Sequence, residues 1–233
     1  MPGYWVLNKS AIFAGLHRTM TDTFKHKFDG IIFDLDGTLW DSTGNVAIAW
    51  EKARQQVDFV PERITQASVR SITGMAYDVI FEVLYPDLDL DKRDYFKAIC
   101  AKSEIDTLNA VGGDMYPGLA EAIKYLASRY KLYIVSNCQN GYIETFFKHS
   151  PVTHYFSGYQ CYGTKGQPKA ENIMDIVKDH QLQAPLYIGD TKGDRDSAAK
   201  AGVPFIFADY GFGVVDEGMI ATISSLGDLV ELL

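Results

Sequence analysis

The chain has 233 residues, a net charge of −8, 47% hydrophobic and 22% charged residues, the balance of an ordinary globular protein with room for one large domain or two smaller ones. The acidic balance argues against nonspecific nucleic-acid binding, which needs a basic surface, and no apolar run reaches the roughly 20 residues of a membrane span. Cys100, Cys138 and Cys161 are far apart and form no C-x-x-C pair, so neither a disulfide framework nor a zinc site is expected, and a reduced cytoplasmic setting fits best.

Residues 1–26 carry two short apolar runs, 4–7 and 11–14, split by Asn8, Lys9 and Ser10. That break weakens a signal-peptide reading, and the segment reads as an N-terminal extension, with Met20 a candidate start. Residues 30–33 are β-branched and aromatic, a buried strand, and they run into Asp34-Leu35-Asp36-Gly37-Thr38-Leu39. From 43 to 111 the pattern is helical: Val46, Ala49, Trp50 and Ala53 recur at helix spacing, as do Val79, Ile80, Val83 and Leu84, with Pro61, Gly74 and Pro86 as punctuation. Gly112 and Gly113 mark the return to alternating elements. A helix from Leu119 is followed by a strand at 132–135 that ends in Ser136 and Asn137. A helix at 142–148, an aromatic-rich strand at 155–162 and a polar loop reaching Lys169 come next. A helix through Ile173 and Ile176 leads to a strand at 185–188 that runs into Gly189 and Asp190. An alanine-rich helix closed by Gly202, a strand at 204–208 and a closing helix at 226–233 complete the chain. Strands alternating with helices imply an α/β fold: a Rossmann-like parallel sheet of about five or six strands covered on both faces. The expected division is an extension (1–26), an α/β core (27–42 and 112–233) and an inserted all-helical unit (43–111).

The polar residues at the strand ends carry the chemistry. Asp34 and Asp36, then Ser136 and Asn137, then Asp190 with Asp194 one turn later, converge on the carboxyl edge of a parallel sheet. Four carboxylates there repel one another unless a cation is present, and hard oxygen donors suit Mg²⁺. Ser136 precedes a helix, whose free N–H groups favour an anion, and Lys169 can hold a phosphate oxygen. Together they point to metal-assisted phosphoryl transfer. Each has a plainer reading as well: Asp190 and Asp194 as helix first-turn acids, Ser136 and Asn137 as caps, and Lys169 as a surface lysine with Lys165 its rival. Asp41 and Asp196 read as structural.

With those residues in order, the chain resembles the haloacid dehalogenase-like hydrolase superfamily, in its helical-cap, phosphoglycolate phosphatase-like branch. Asp34-Leu35-Asp36-Gly37-Thr38 fits the family's D-x-D-G-T motif, Val135-Ser136-Asn137 the second, Lys169 the third, and Gly189-Asp190-Thr191-Lys192-Gly193-Asp194 the G-D-x-x-x-D motif. The order Gln167-Pro168-Lys169 departs from the more usual Lys-Pro. The resemblance implies a phosphatase of a small phosphate ester, phosphoglycolate-like or a sugar phosphate, working through an aspartyl-phosphate. Asp34 would be the nucleophile and Asp36 the general acid and base. Asp34, Asp36 (through its carbonyl), Asp190 and Asp194 would form the Mg²⁺ site. Ser136 and Asn137 would bind the phosphoryl group and Lys169 would bridge it to Asp34. Residues 43–111 match the cap in position, and Thr38, Gly74 and Arg70 are the candidate substrate contacts. A phosphomutase, a phosphonatase using Lys52 and a non-catalytic binding protein on the same core are the alternatives. A monomer or weak homodimer is expected, without nucleic-acid or membrane partners.

Overall fold

The structure, a computed structural model, describes residues 24–233, so most of the expected N-terminal extension lies outside the described residues. Strand β1 (Gly30–Phe33) is buried at every position, as a central strand covered on both faces must be. The chain then makes a two-residue strand β2 (Trp40–Asp41) and four helices: α1 (Thr43–Arg54), α2 (Gln66–Arg70), α3 (Tyr77–Leu84) and α4 (Leu90–Val111). A second short strand, β3 (Asp114–Met115), pairs antiparallel with β2 where the chain returns. There follow α5 (Leu119–Ala127), β4 (Lys131–Ser136), α6 (Tyr142–His149), β5 (Phe156–Cys161), α7 (Tyr162–Lys165), α8 (Lys169–Asp179), β6 (Pro185–Gly189), α9 (Lys192–Ala201), β7 (Phe205–Ala208), β8 (Ala221–Ile223) and α10 (Asp228–Leu232).

Six strands form one parallel sheet in the order β5-β4-β1-β6-β7-β8. The expected α/β architecture is therefore present with six strands. The sixth, β8, is three residues long at the sheet edge, too short to leave a pattern in the sequence. Alternate residues feed two apolar layers: Ile31, Phe33, Ile134 and Ile188 on one face, Ile32, Tyr133, Tyr187 and Phe205 on the other. Register places Phe33 level with Ile134 and with Ile188, so Asp34, Ser136 and Asp190 all emerge from the same edge of neighbouring strands.

The helices at 43–111 have their own aromatic packing. The Trp50 ring lies 5.2 Å from Phe81 and 6.4 Å from Tyr77, and Phe96 lies 6.0 Å from Phe81. Helices α1 and α4 pack along each other, and α4 also meets α6 of the core. These contacts bring one flank of the helical segment over the carboxyl edge of the sheet.

Candidate active site

Asp34 follows β1 directly, and its backbone N–H donates to Ile188 O at 2.8 Å, which fixes the exit of the strand. Its side chain is buried and accepts from Lys169 Nζ at 2.8 Å; the same ammonium donates to Asp194 Oδ1 at 2.6 Å. Lys169 opens α8 and reaches into the sheet edge, while its rival Lys165 pairs with Asp175 at the surface, 2.6 Å away. Burial pulls the Lys169 ammonium down, but the carboxylates of Asp194 and Asp34 outweigh it and hold its pKa above the ordinary lysine value.

Asp190 ends the β6 segment inside a cradle of backbone. Phe212 N donates to its Oδ2 at 2.7 Å and Thr38 Oγ1 to its Oδ1 at 3.4 Å. A Cβ at Gly37, where φ is +87°, would stand 2.2 Å from Asp190 Oδ2, and one at Gly211 would stand 2.2 Å from its Cβ. Both positions need glycine because the carboxylate fills the space a side chain would take. Asp194 belongs to the capping box of α9 with Thr191. Its Oδ2 accepts from Thr191 N (3.0 Å) and Oγ1 (2.5 Å), and its Oδ1 accepts from Lys169 and from Tyr187 OH (3.2 Å). Both of its oxygens are thus engaged within the protein.

Asp34, Asp190 and Asp194 each offer a carboxylate oxygen within 4.8 Å of the others, and all three are buried. Burial, then the repulsion of Asp194, pushes Asp34 up to about 7. The same two causes push Asp190 well above the carboxylate range. One lysine therefore does not balance the charge. Buried hard oxygen donors with a deficit of positive charge fit a small divalent cation, whose binding would return these carboxylates to the ionised form.

Asp36 turns away from that cluster. Its Oδ1 accepts from Ser42 Oγ (2.9 Å) and Tyr142 OH (2.8 Å), whose own oxygens stand 2.5 Å apart. Burial raises its pKa to about 6, with the Tyr142 and Ser42 hydrogen bonds opposing the rise. Two carboxyls two residues apart thus sit in different environments, one beside an ammonium and one beside hydroxyls.

The cleft over these residues has a cavity of about 60 Å³ and is lined by Asp34, Asp36, Ser136, Asn137, Gly74 and Lys169 among others. Gly74, at φ +91°, comes down to the core: a Cβ there would lie 3.1 Å from Thr191 Cγ2, and its carbonyl accepts from Asn137 Nδ2 at 2.8 Å. Thr38 is fully buried behind Asp190 and is absent from the lining, so its contact is with the carboxylate cradle. Arg70 is also outside the lining. Its guanidinium pairs with Asp41, donates to Thr43 Oγ1 at 3.3 Å and lies 5.4 Å from the Phe212 ring. Asp41 Oδ1 accepts from Thr43 N at 2.9 Å and from Thr43 Oγ1 at 2.5 Å where α1 begins. Lys52 is exposed and does not line the cleft.

Three cleft residues were not legible as site residues: Tyr142, Ser42 and Glu104. Glu104, from the middle of α4, is only 3% exposed and accepts from Trp50 Nε1 (2.5 Å) and Gln139 Nε2 (2.9 Å). A signal existed for it. Phe96, Cys100, Glu104 and Leu108 recur every four residues as one buried stripe, and a glutamate in such a stripe faces inward.

The fold is a Rossmann-like parallel α/β core with a buried carboxylate cluster at the carboxyl edge of its sheet. The family model for haloacid dehalogenase-like hydrolases matches residues 31–208, and the chain belongs to that family. Within it the chain is phosphoglycolate phosphatase-like. It is 27% identical over 194 residues to a phosphoglycolate phosphatase of Aliivibrio fischeri, covering 78% of this chain and 84% of that one. It is 28% identical over 195 residues to the phosphoglycolate phosphatase of Vibrio vulnificus, with the same coverage. In fold it is similar to the crystal structure of a predicted phosphoglycolate phosphatase from Haemophilus somnus 129PT. There the TM-score is 0.77 at 21% identity, over 89% of this chain and 98% of the other. A haloacid dehalogenase-like hydrolase from Streptococcus pneumoniae gives a TM-score of 0.75 at 22% identity, over 88% and 97%. Among the described residues no helix is long and apolar enough to cross a membrane.

Proposed function

We propose that the chain hydrolyses a small phosphate monoester through an aspartyl-phosphate on Asp34, with Mg²⁺ as cofactor. The observation that carries this reading is the split between the two carboxyls. Asp34 is salt-bridged to Lys169 within the carboxylate cluster, whereas Asp36 is half-buried among the hydroxyls of Ser42 and Tyr142. Both pKa values are raised, Asp34 to about 7 and Asp36 to about 6, and a cation held at the cluster would ionise Asp34 selectively. Different surroundings let a cation ionise one carboxyl while the other can still carry a proton, which is how one site holds a nucleophile and an acid together.

Asp34 attacks phosphorus in line and the ester oxygen departs. Asp36 gives its proton to that oxygen and then takes one from the water that opens the acyl-phosphate. Lys169, aimed by Asp194, offsets charge on the phosphoryl oxygens. Ser136 and Asn137, with the amides that follow β4, hold those oxygens. Mg²⁺ would be held by Asp34 and Asp190 with the main chain of Asp36, and would neutralise charge on the transferring group. Asp194, its oxygens already engaged, supports this arrangement through Lys169 rather than as a direct ligand.

Residues 43–111 act in this reading as a cap that excludes water and recognises the leaving group. Its contact at Gly74 and its cleft-facing Glu104 support that role. The unpaired cysteines support the proposed cytoplasmic setting. The test is hydrolysis of p-nitrophenyl phosphate with and without Mg²⁺, with Asp34→Asn as control. Activity is expected to need the metal and to vanish in the variant; activity surviving Asp34→Asn would sink the mechanism.

A further inference from the structure

The cleft wall opposite the phosphoryl end is built mainly by the helical segment, and it contains one carboxyl, Glu104. Its Oε2 is held by Trp50 of α1 and its Oε1 by Gln139 of the loop after β4, so the carboxyl is fixed from both sides of the cleft. A carboxyl has about four acceptor positions, and these two bonds leave others free. No ion pair to Glu104 exists among the described residues. The ionisable groups that face it are Asp36, Tyr77, Cys100 and Tyr142, none of them cationic. The cation of the cleft, Lys169, is already shared between Asp34 and Asp194. Arg70, a candidate substrate contact in the sequence, is tied to Asp41.

An ionised carboxyl buried without a counter-charge is costly, which favours the protonated form of Glu104 until a cation pairs with it. Burial pushes Glu104 up to about 8, against the Gln139 and Trp50 hydrogen bonds. A ligand cation would remove that penalty. The surrounding surface suits one, because Trp50, Tyr77 and Tyr142 line the same cleft and aromatic rings attract ammonium groups. A ligand carboxylate would meet Glu104 and Asp36 with no free cation to pair with. Tyr142 lies beside both Asp36 and Glu104, so a short leaving group would reach Glu104 from the phosphoryl end.

We propose that Glu104 is the specificity-determining residue of the cleft, selecting small phosphate monoesters whose leaving group carries a protonated amine and rejecting those that carry a carboxylate. This rests on the phosphatase reading above and narrows its substrate class to short aminoalkyl phosphates. It also separates this chain from what the names of its relatives suggest.

The test compares kcat/KM for 2-aminoethyl phosphate, n-propyl phosphate and phosphoglycolate, in Mg²⁺, for the wild type and Glu104→Gln. The first two esters have the same number of heavy atoms and differ in the amine. The wild type is expected to favour the amine over each of the others by about tenfold or more. In Glu104→Gln the ratio of aminoethyl to propyl ester should collapse toward one, chiefly through KM. A wild type that prefers phosphoglycolate, or a ratio unchanged by the substitution, overturns the proposal. The wild-type ranking decides even if the variant fails to fold. If the wild type turns over none of these esters nor p-nitrophenyl phosphate, the phosphatase reading has failed. The same esters are then ranked by calorimetric binding to the wild type, and no preference for the amine overturns the role of Glu104 as well.

Discussion

Lys169→Met removes the single positive charge from a buried group of carboxylates. Lys169 and its partners Asp34 and Asp194 have side chains no more than 2% exposed, and the bonds are 2.8 and 2.6 Å long. Breaking a buried pair from one side typically costs about 3–5 kcal/mol, because the partner charge stays behind. At roughly 2–4 °C per kcal/mol for a chain of this size, Tm should fall by roughly 6–20 °C in chelator near neutral pH. Loss of one preorganised electrostatic donor should also lower kcat by about 10²–10³. Asp194 spends both oxygens on Lys169, Tyr187 and the α9 cap, so its catalytic part is to aim the lysine. Asp194→Asn alone should therefore lower kcat by a comparable factor, and adding it to Lys169→Met should lower kcat little further. The assay is a double-mutant cycle on kcat, with melting curves on all four proteins. Effects that multiply, to about 10⁴–10⁶ in the double variant, would refute the claim that Asp194 works through Lys169.

Other outcomes follow from the same geometry. Tyr142→Phe removes a hydrogen bond that favours ionised Asp36, so the Asp36 pKa should rise from about 6 and the alkaline limb of kcat/KM for an alkyl phosphate should move to higher pH. A shift of roughly one unit is expected from a hydrogen bond to a charged group of ~1.5 kcal/mol; a move to lower pH contradicts the assignment. Stability should also depend on pH. Asp36, Asp34 and Glu104 are raised to about 6, about 7 and about 8, chiefly by burial. A raised carboxyl contributes stability that is fully present below its unfolded pKa and is lost as pH rises through the folded one. In chelator, Tm should fall between about pH 4 and pH 8, and Mg²⁺ should reduce that fall because it favours the ionised cluster. A chelated protein that gains stability across this window contradicts the buried-carboxylate account.

The sequence made the sheet edge readable because the chemistry there is local. A short apolar strand followed at once by acids or by Ser-Asn marks both the element and its exit, which is why Asp34, Asp36, Ser136 and Asp190 fall where their strands end. Lys169 was separable from Lys165 by the resemblance, and the structure buries the first and pairs the second with Asp175. What escaped was set by tertiary packing. Strands β2 and β3 are two residues long and exist only because the chain leaves and returns at one point. Arg70 looked available to a ligand until Asp41, 29 residues away, took its guanidinium. Tyr142 reaches Asp36 across 106 residues, and no local pattern announces such a bond. Glu104 had a signal, its register with Cys100 and Leu108, but a glutamate in a polar helix usually faces water.

The central claim is that Asp34 becomes phosphorylated during turnover. Wild-type protein turning over p-nitrophenyl phosphate in Mg²⁺ can be quenched in acid, treated with borohydride and digested for mass spectrometry. Borohydride reduces an aspartyl-phosphate to homoserine. The account predicts homoserine at position 34, only when substrate is present, and none at 36, 190 or 194. Steady turnover with no reduction product at 34, or with the product at another residue, would contradict it.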